Sequence, residues 1–137
     1  MKKITILFVV LLIIANCAPS VKVAKIQDYG EYPENYKEVI KLYYKARLKD
    51  PESARYEWPE KPFKGFYIKG GFTEPIYGYI CPVGINAKNS FGGYTGMDMQ
   101  IFVMRGNELL ASDLPYVKAK RYVSEAGFYR LEDYIDE

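Results

Sequence analysis

The sequence predicts an α+β fold, with one amphipathic N-terminal helix and a short capped turn packed on an antiparallel sheet of about three to five strands. Three observations carry this expectation. Between Pro33 and Lys49 the apolar side chains recur at helical spacing. From Ala54 onward, apolar and polar residues alternate in runs bounded by Gly and Pro. The tight-turn dipeptide Gly106-Asn107 then separates two such runs, as a hairpin requires.

Taken in order, the chain opens with the cationic Met1-Lys2-Lys3 and runs apolar from Ile4 to Ala15 except for Thr5. A helix of that length spans roughly 18 Å, against a hydrocarbon core of about 30 Å. It is too short to cross a bilayer comfortably and has the length and flanks of a signal peptide. The run closes as Ile14-Ala15-Asn16-Cys17, which resembles the lipobox of bacterial lipoproteins, with Asn16 where Gly, Ala or Ser is commoner. The resemblance implies a signal peptide over residues 1–16, cleavage before Cys17, a diacylglyceryl group on its thiol and acylation (palmitate-type) of the new amine. Several acyl chains give stable membrane anchoring where one is marginal. Ala18 stands where an Asp often signals inner-membrane retention in related systems, so the same resemblance points to the outer membrane.

Residues 17–31 read as the lipidated Cys and a tether, and residues 32–137 as one α+β domain. The tether has no helical periodicity, is bracketed by Pro19 and Gly30, and closes onto the domain near Ile26 and Tyr29. Its fourteen residues from Ala18 reach about 45 Å when extended. In the helix, Tyr36, Val39, Ile40, Tyr43 and Leu48, with Tyr44 beside them, form the apolar face, and Lys37, Lys41 and Lys45 a solvated one. Pro33 and Glu34 suit its first turn, and Pro51 ends it by restricting Asp50. Asp50-Pro51-Glu52-Ser53 then reads as a single turn capped by Asp50.

The strand candidates are Arg55–Trp58, Phe63–Lys69, Ile76–Ala87, Met99–Arg105 and Glu108–Ala111. In the longest, period two places Tyr77, Tyr79, Cys81, Val83, Ile85 and Ala87 on one face, toward Tyr36, Ile40 and Tyr43 of the helix. Pro82 cannot donate to a ladder, so this strand must have an edge, bulge or break there. The segment from Val117 to Ala126 admits a short helix ending at Gly127, and the acidic residues from Leu131 onward are expected to fray.

The most distinctive stretch is Asn86-Ala87-Lys88-Asn89-Ser90-Phe91-Gly92-Gly93-Tyr94-Thr95-Gly96. Together with Tyr77-Gly78-Tyr79-Ile80-Cys81 and Asp50-Pro51-Glu52-Ser53-Ala54, it resembles a group of small bacterial envelope lipoproteins with no assigned function, over residues 33–105. The resemblance implies an envelope location and a shared fold, and no activity. Physically, the glycines allow positive φ, and Asn86, Asn89 and Ser90 can bond local backbone. The loop is either an ordered connection, with Phe91 and Tyr94 pinning it to the sheet, or a binding loop in which Phe91 and Tyr94 make contact and Lys88 supplies charge.

Composition removes whole classes of chemistry. With no His in the chain, Ser-His-Asp and Cys-His sites and His-ligated zinc are excluded. No phosphate loop or calcium loop is spelled out. The excess of 19 basic over 17 acidic residues is supplied by Lys2 and Lys3, so the chain after the signal is formally neutral and nothing points to nucleic acid. Cys81, without a partner once Cys17 is lipidated, suits a buried strand position. Asp98 and Glu74 are the carboxylates that a cleft could use, and exposed turn positions suit them better. No metal, no cofactor and no catalytic residue is expected. The expected function is a non-enzymatic, membrane-anchored accessory or binding lipoprotein of the cell envelope acting on a protein partner. The alternative is an envelope module that binds a small ligand, glycan or peptidoglycan fragment through its Tyr/Gly-rich loop.

Overall fold

A computed structural model describes residues 27–70, 73–117 and 127–134. The signal peptide, Cys17, most of the tether and the helix expected after Val117 lie outside the described residues. The described chain is α+β: one helix, α1 (Tyr36–Lys45), and a six-stranded antiparallel sheet. Its strands are β1 (Arg55–Glu57), β2 (Phe63–Ile68), β3 (Ile76–Asn86), β4 (Asp98–Arg105), β5 (Glu108–Pro115) and β6 (Gly127–Arg130). The spatial order is β5-β4-β3-β2-β6, with β1 also pairing β3. The sixth strand exceeds the expected count because the four residues of β6 are too few to show a period.

Strand β3 organises the sheet. Its C-terminal part pairs with β1 (Glu57 opposite Gly84) and its N-terminal part with β2 (Phe63 opposite Ile80). Residues 58–62 therefore oppose only Cys81–Val83, an excess of two that keeps the inside–outside alternation of β1 and β2 in phase. Pro82 sits at the middle of this break, so its missing N–H costs no partner on that flank, which is the interruption the sequence called for. The excursion is held by Arg130, which ion-pairs with Glu60, bonds Glu132 at 3.1 Å and stacks 3.7 Å from the Phe63 ring centroid.

The outer face of the sheet carries the helix. Tyr36, Ile40 and Tyr44 are buried at spacings of four, against Cys81, Val83 and Ile85 of β3 and Phe102 and Met104 of β4. The helix is shorter than expected at both ends. Tyr36 N–H turns back to Pro33 O at 3.1 Å, and Arg47 and Leu48 N–H both bond Tyr44 O, tightening the last turn. The Asp50 side chain does not cap the 3₁₀ turn at Pro51–Ser53; the Asp50 carbonyl instead accepts from Ser53 N–H and Oγ. Ten residues reach about 15 Å, which leaves Tyr77 beyond the helix. Tyr77 packs edge-on to Tyr29 at 5.9 Å and beside Phe66 instead. The chain is thus already seated on the sheet at Tyr29, and Glu31 O accepts the Gly106 N–H at 2.7 Å. Of the lysine stripe, Lys41 and Lys45 are exposed, whereas Lys37 is half-buried 5.6 Å from the Trp58 ring.

The inner face is a second core of Tyr67, Ile80, Ile101, Val103 and Phe128. It forms because the sheet rolls up. Phe128 N–H bonds Val117 O at 2.9 Å, joining the two ends of the strand order, and the Tyr116 and Phe128 rings meet at 5.4 Å. Gly65 and Gly78 lie directly opposite one another on this face, where a Cβ would stand 2.3 Å from Tyr129 O and 2.8 Å from Met104 O respectively. Only Gly lets the backbones approach this closely.

Candidate functional site

Beyond the rolled core, β3 and β4 continue into the connection 87–97. Its hydrogen bonds are largely internal. Asn89 Oδ1 accepts the N–H groups of Phe91 (2.9 Å) and Gly93 (3.1 Å), and Asn89 N–H bonds Gly93 O at 2.8 Å. The side chain thereby replaces backbone partners, as Asn does in turns. Gly92 at φ +80 has open space around it, so its requirement is conformational rather than steric. The loop is then tied to the 3₁₀ turn: Lys88 N–H and Tyr94 OH bond Ser53 Oγ and O, each at 3.1 Å, and Lys49 Nζ bonds Ser90 Oγ at 2.7 Å.

The structure brings Lys88 and Tyr94 together and leaves Phe91 apart. Lys88 and Tyr94 form a bridge pair, with Lys88 Nζ 5.8 Å and the Arg55 guanidinium 4.3 Å from the Tyr94 ring. Tyr94 pins the loop through its hydroxyl. Phe91 does not pin it, contrary to the connection reading, because it is 97% exposed at the tip. Cys17 lies outside the described residues.

On the side of the loop facing the helix C-terminus is a cleft of about 440 Å³. Leu48, Ile85 and Ala87 give it apolar walls, and Arg47, Lys88, Asp98 and Asp113 give it charge. Asp113 arrives there by a local distortion. The β4–β5 register slips by one residue twice between Arg105–Glu108 and Ile101–Leu114, and Asp113 takes φ +51. Bulges of this kind re-aim side chains beside functional sites. The Asp113 carboxylate accepts the hydroxyl of Tyr43, which in turn accepts from Ser112 Oγ at 3.0 Å. Asp98 accepts from Gln100 Nε2 at 2.6 Å.

Among the described residues, three buried side-chain polar atoms find no hydrogen-bond partner: Tyr44 OH, Asn86 Oδ1 and Gln100 Oε1. Tyr44 and Gln100 line the cleft, and Tyr44 is only 7% exposed. Burial first, and then the neighbouring Asp113 carboxylate, raise the Tyr44 phenol well above its ordinary pKa, so it stays protonated. Both Asp98 and Asp113 are exposed. What the cleft offers is acceptors beside an apolar wall. Among the described residues no group of His, Cys, Asp or Glu is arranged to hold a metal, and no helix is long and apolar enough to cross a membrane.

The chain matches no family model, no curated protein and no solved structure. Of the cleft residues, the sequence singled out Lys88 and Asp98. Tyr44 was legible only as part of the helix face. Asp113 carried no signal, since a bulge here is not marked by Gly or Asn. Cys81 plays no part: its thiol is fully buried, 3.6 Å from Tyr79 O, and burial pushes its pKa up to about 12.

Proposed function

We propose that the protein is a non-enzymatic accessory lipoprotein of the bacterial cell envelope, anchored through Cys17, that acts by protein–protein contact with Phe91 as its anchor. The observation that carries this reading is the bare Phe91 ring at the tip of an internally bonded loop. A preordered loop loses little entropy on binding, and an aromatic ring entering a partner's pocket is the residue type that dominates such contacts. Lys49, Lys88 and Arg55 surround the base of the loop, so the fitting partner has an apolar pocket rimmed by acidic groups.

The test places the photo-crosslinker p-benzoylphenylalanine at Phe91, and separately at exposed Glu57, in the lipidated chain in intact cells. A discrete protein adduct from position 91 alone is expected. Adducts to lipid only, or the same pattern from both positions, would overturn the reading. Anchoring has its own test: Cys17→Ser should leave the signal uncleaved by the lipoprotein peptidase and abolish acyl labelling. A variant that labels and partitions like the wild type removes the anchor. A second reading, capture of a small ligand, is supported by the cleft that Lys88, Asn89 and Thr95 of the loop help to line.

A further inference from the structure

Resting on that second reading, we infer that the cleft binds a primary ammonium group carried on a short aliphatic stem. The charged groups divide unequally. The Arg47 guanidinium is stacked 3.7 Å from the Tyr43 ring centroid and reaches Tyr43 O at 3.4 Å, and Lys88 lies over Tyr94. The two cations of the cleft thus already have aromatic partners. Asp98 and Asp113 have hydrogen bonds but no ion pair among the described residues. They lack an ion-pair partner at the same place where Gln100 Oε1, an acceptor only, and Tyr44 OH lack hydrogen-bond partners.

A ligand that completes this set must donate. Tyr44 OH lies beside Asp113 but outside hydrogen-bond geometry, so the hydroxyl is free to turn its lone pairs to a donor. An ammonium has three donors and no acceptor, matching two carboxylates, an amide oxygen and a phenol oxygen better than a hydroxyl, which brings its own lone pairs. The walls from Leu48, Ile85 and Ala87 suit methylenes behind the charge. A free aliphatic amine and a lysine side chain on a peptide both present this chemistry.

The experiment titrates detergent-solubilised full-length protein with n-pentylamine, 1-pentanol, N-acetylglucosamine and Nα-acetyl-lysine amide. It follows the Gln100 side-chain amide by NMR. Saturable shifts with pentylamine and none with pentanol are expected, and Nα-acetyl-lysine amide distinguishes a peptide source from a free amine by which of the two binds more tightly. Asp113→Asn keeps a side chain that tolerates positive φ and can still accept from Tyr43, and with Asp98→Asn it should weaken pentylamine by about tenfold. Equal response to amine and alcohol, or amine binding unchanged in both Asn variants, overturns the ammonium assignment. Binding of N-acetylglucosamine without pentylamine overturns it too, while leaving the cleft a ligand site. Silence from all four probes overturns both readings.

Discussion

In the middle of the sheet, β3 and β4 are packed on both faces: Cys81, Val83 and Phe102 lie under the helix, and Ile80, Ile101 and Val103 inside the roll. Every one of these side chains is apolar or a thiol, and all are fully buried. A few residues further along the same two strands, the character reverses. Gln100 ends in an unpartnered oxygen in the cleft that Tyr44 lines from the helix, also without a partner, Asn86 ends in another on the opposite face, Asp113 is held at positive φ, and Phe91 projects bare beyond them. Native proteins pair nearly all buried polar groups. Among the described residues the three lapses, two on these strands and one on the helix above them, gather at this end and mark it as made for something other than stability.

This contrast can be broken from either side. The largest effect belongs to the packed middle. Phe102 meets the Tyr43 and Tyr44 rings at 5.2 and 5.6 Å with no exposure, and Phe102→Ala should cost about 3–5 kcal/mol in urea unfolding. A cost under about 1 kcal/mol would show that this core is not what holds the sheet.

Next comes the buried thiol. Cys81 ionises near pH 9 when unfolded and, because of burial, near 12 when folded, so the folded state binds more protons between those values. Stability should therefore fall through that window, by at most about 1.4 kcal/mol per pH unit from this group. Tyr29, raised to about 12 by burial, adds to the fall in the same direction above pH 10. Cys81→Ala should flatten the part of the slope nearest pH 9; an unchanged slope in that variant assigns it elsewhere.

The smallest effect belongs to the loop tip. Phe91→Ala should change stability by no more than about 0.5 kcal/mol, because the ring touches little, while removing the crosslinked partner. A clear loss of stability would mean that the ring packs in solution and is no anchor.

How far the sequence reveals these two regions follows from how each is made. The packed middle is periodic, so period two assigned Cys81, Val83 and Ile85 to one face, and the helical spacing of Tyr36, Ile40 and Tyr43 set the helix upon it, although Tyr44 rather than Tyr43 is the buried tyrosine of that turn. Pro82 announced the break, and Gly106-Asn107 the hairpin. Alternation failed to show that Ile80, Pro82 and Gly84 would be as buried as their neighbours, because the roll depends on β6 meeting the end of β5 far along the chain. The open end is aperiodic. Its cleft gathers residues from the helix C-terminus, both ends of the loop and a bulge in β5, which become neighbours only through the register slips. The loop wording drew attention to Lys88, Phe91 and Tyr94, yet nothing local distinguishes a Phe that folds inward from one that points out.

The central claim is that the polar groups at this end are left unfilled by the fold itself, and Tyr44→Phe tests it most directly. An unpaired buried hydroxyl costs stability, so deleting that single oxygen should leave the urea midpoint unchanged or raise stability by about 1 kcal/mol, with the transition slope unaltered. A loss of 1 kcal/mol or more would mean that the hydroxyl is already satisfied within the folded chain, and the contrast between the two ends of β3 and β4 would lose its basis.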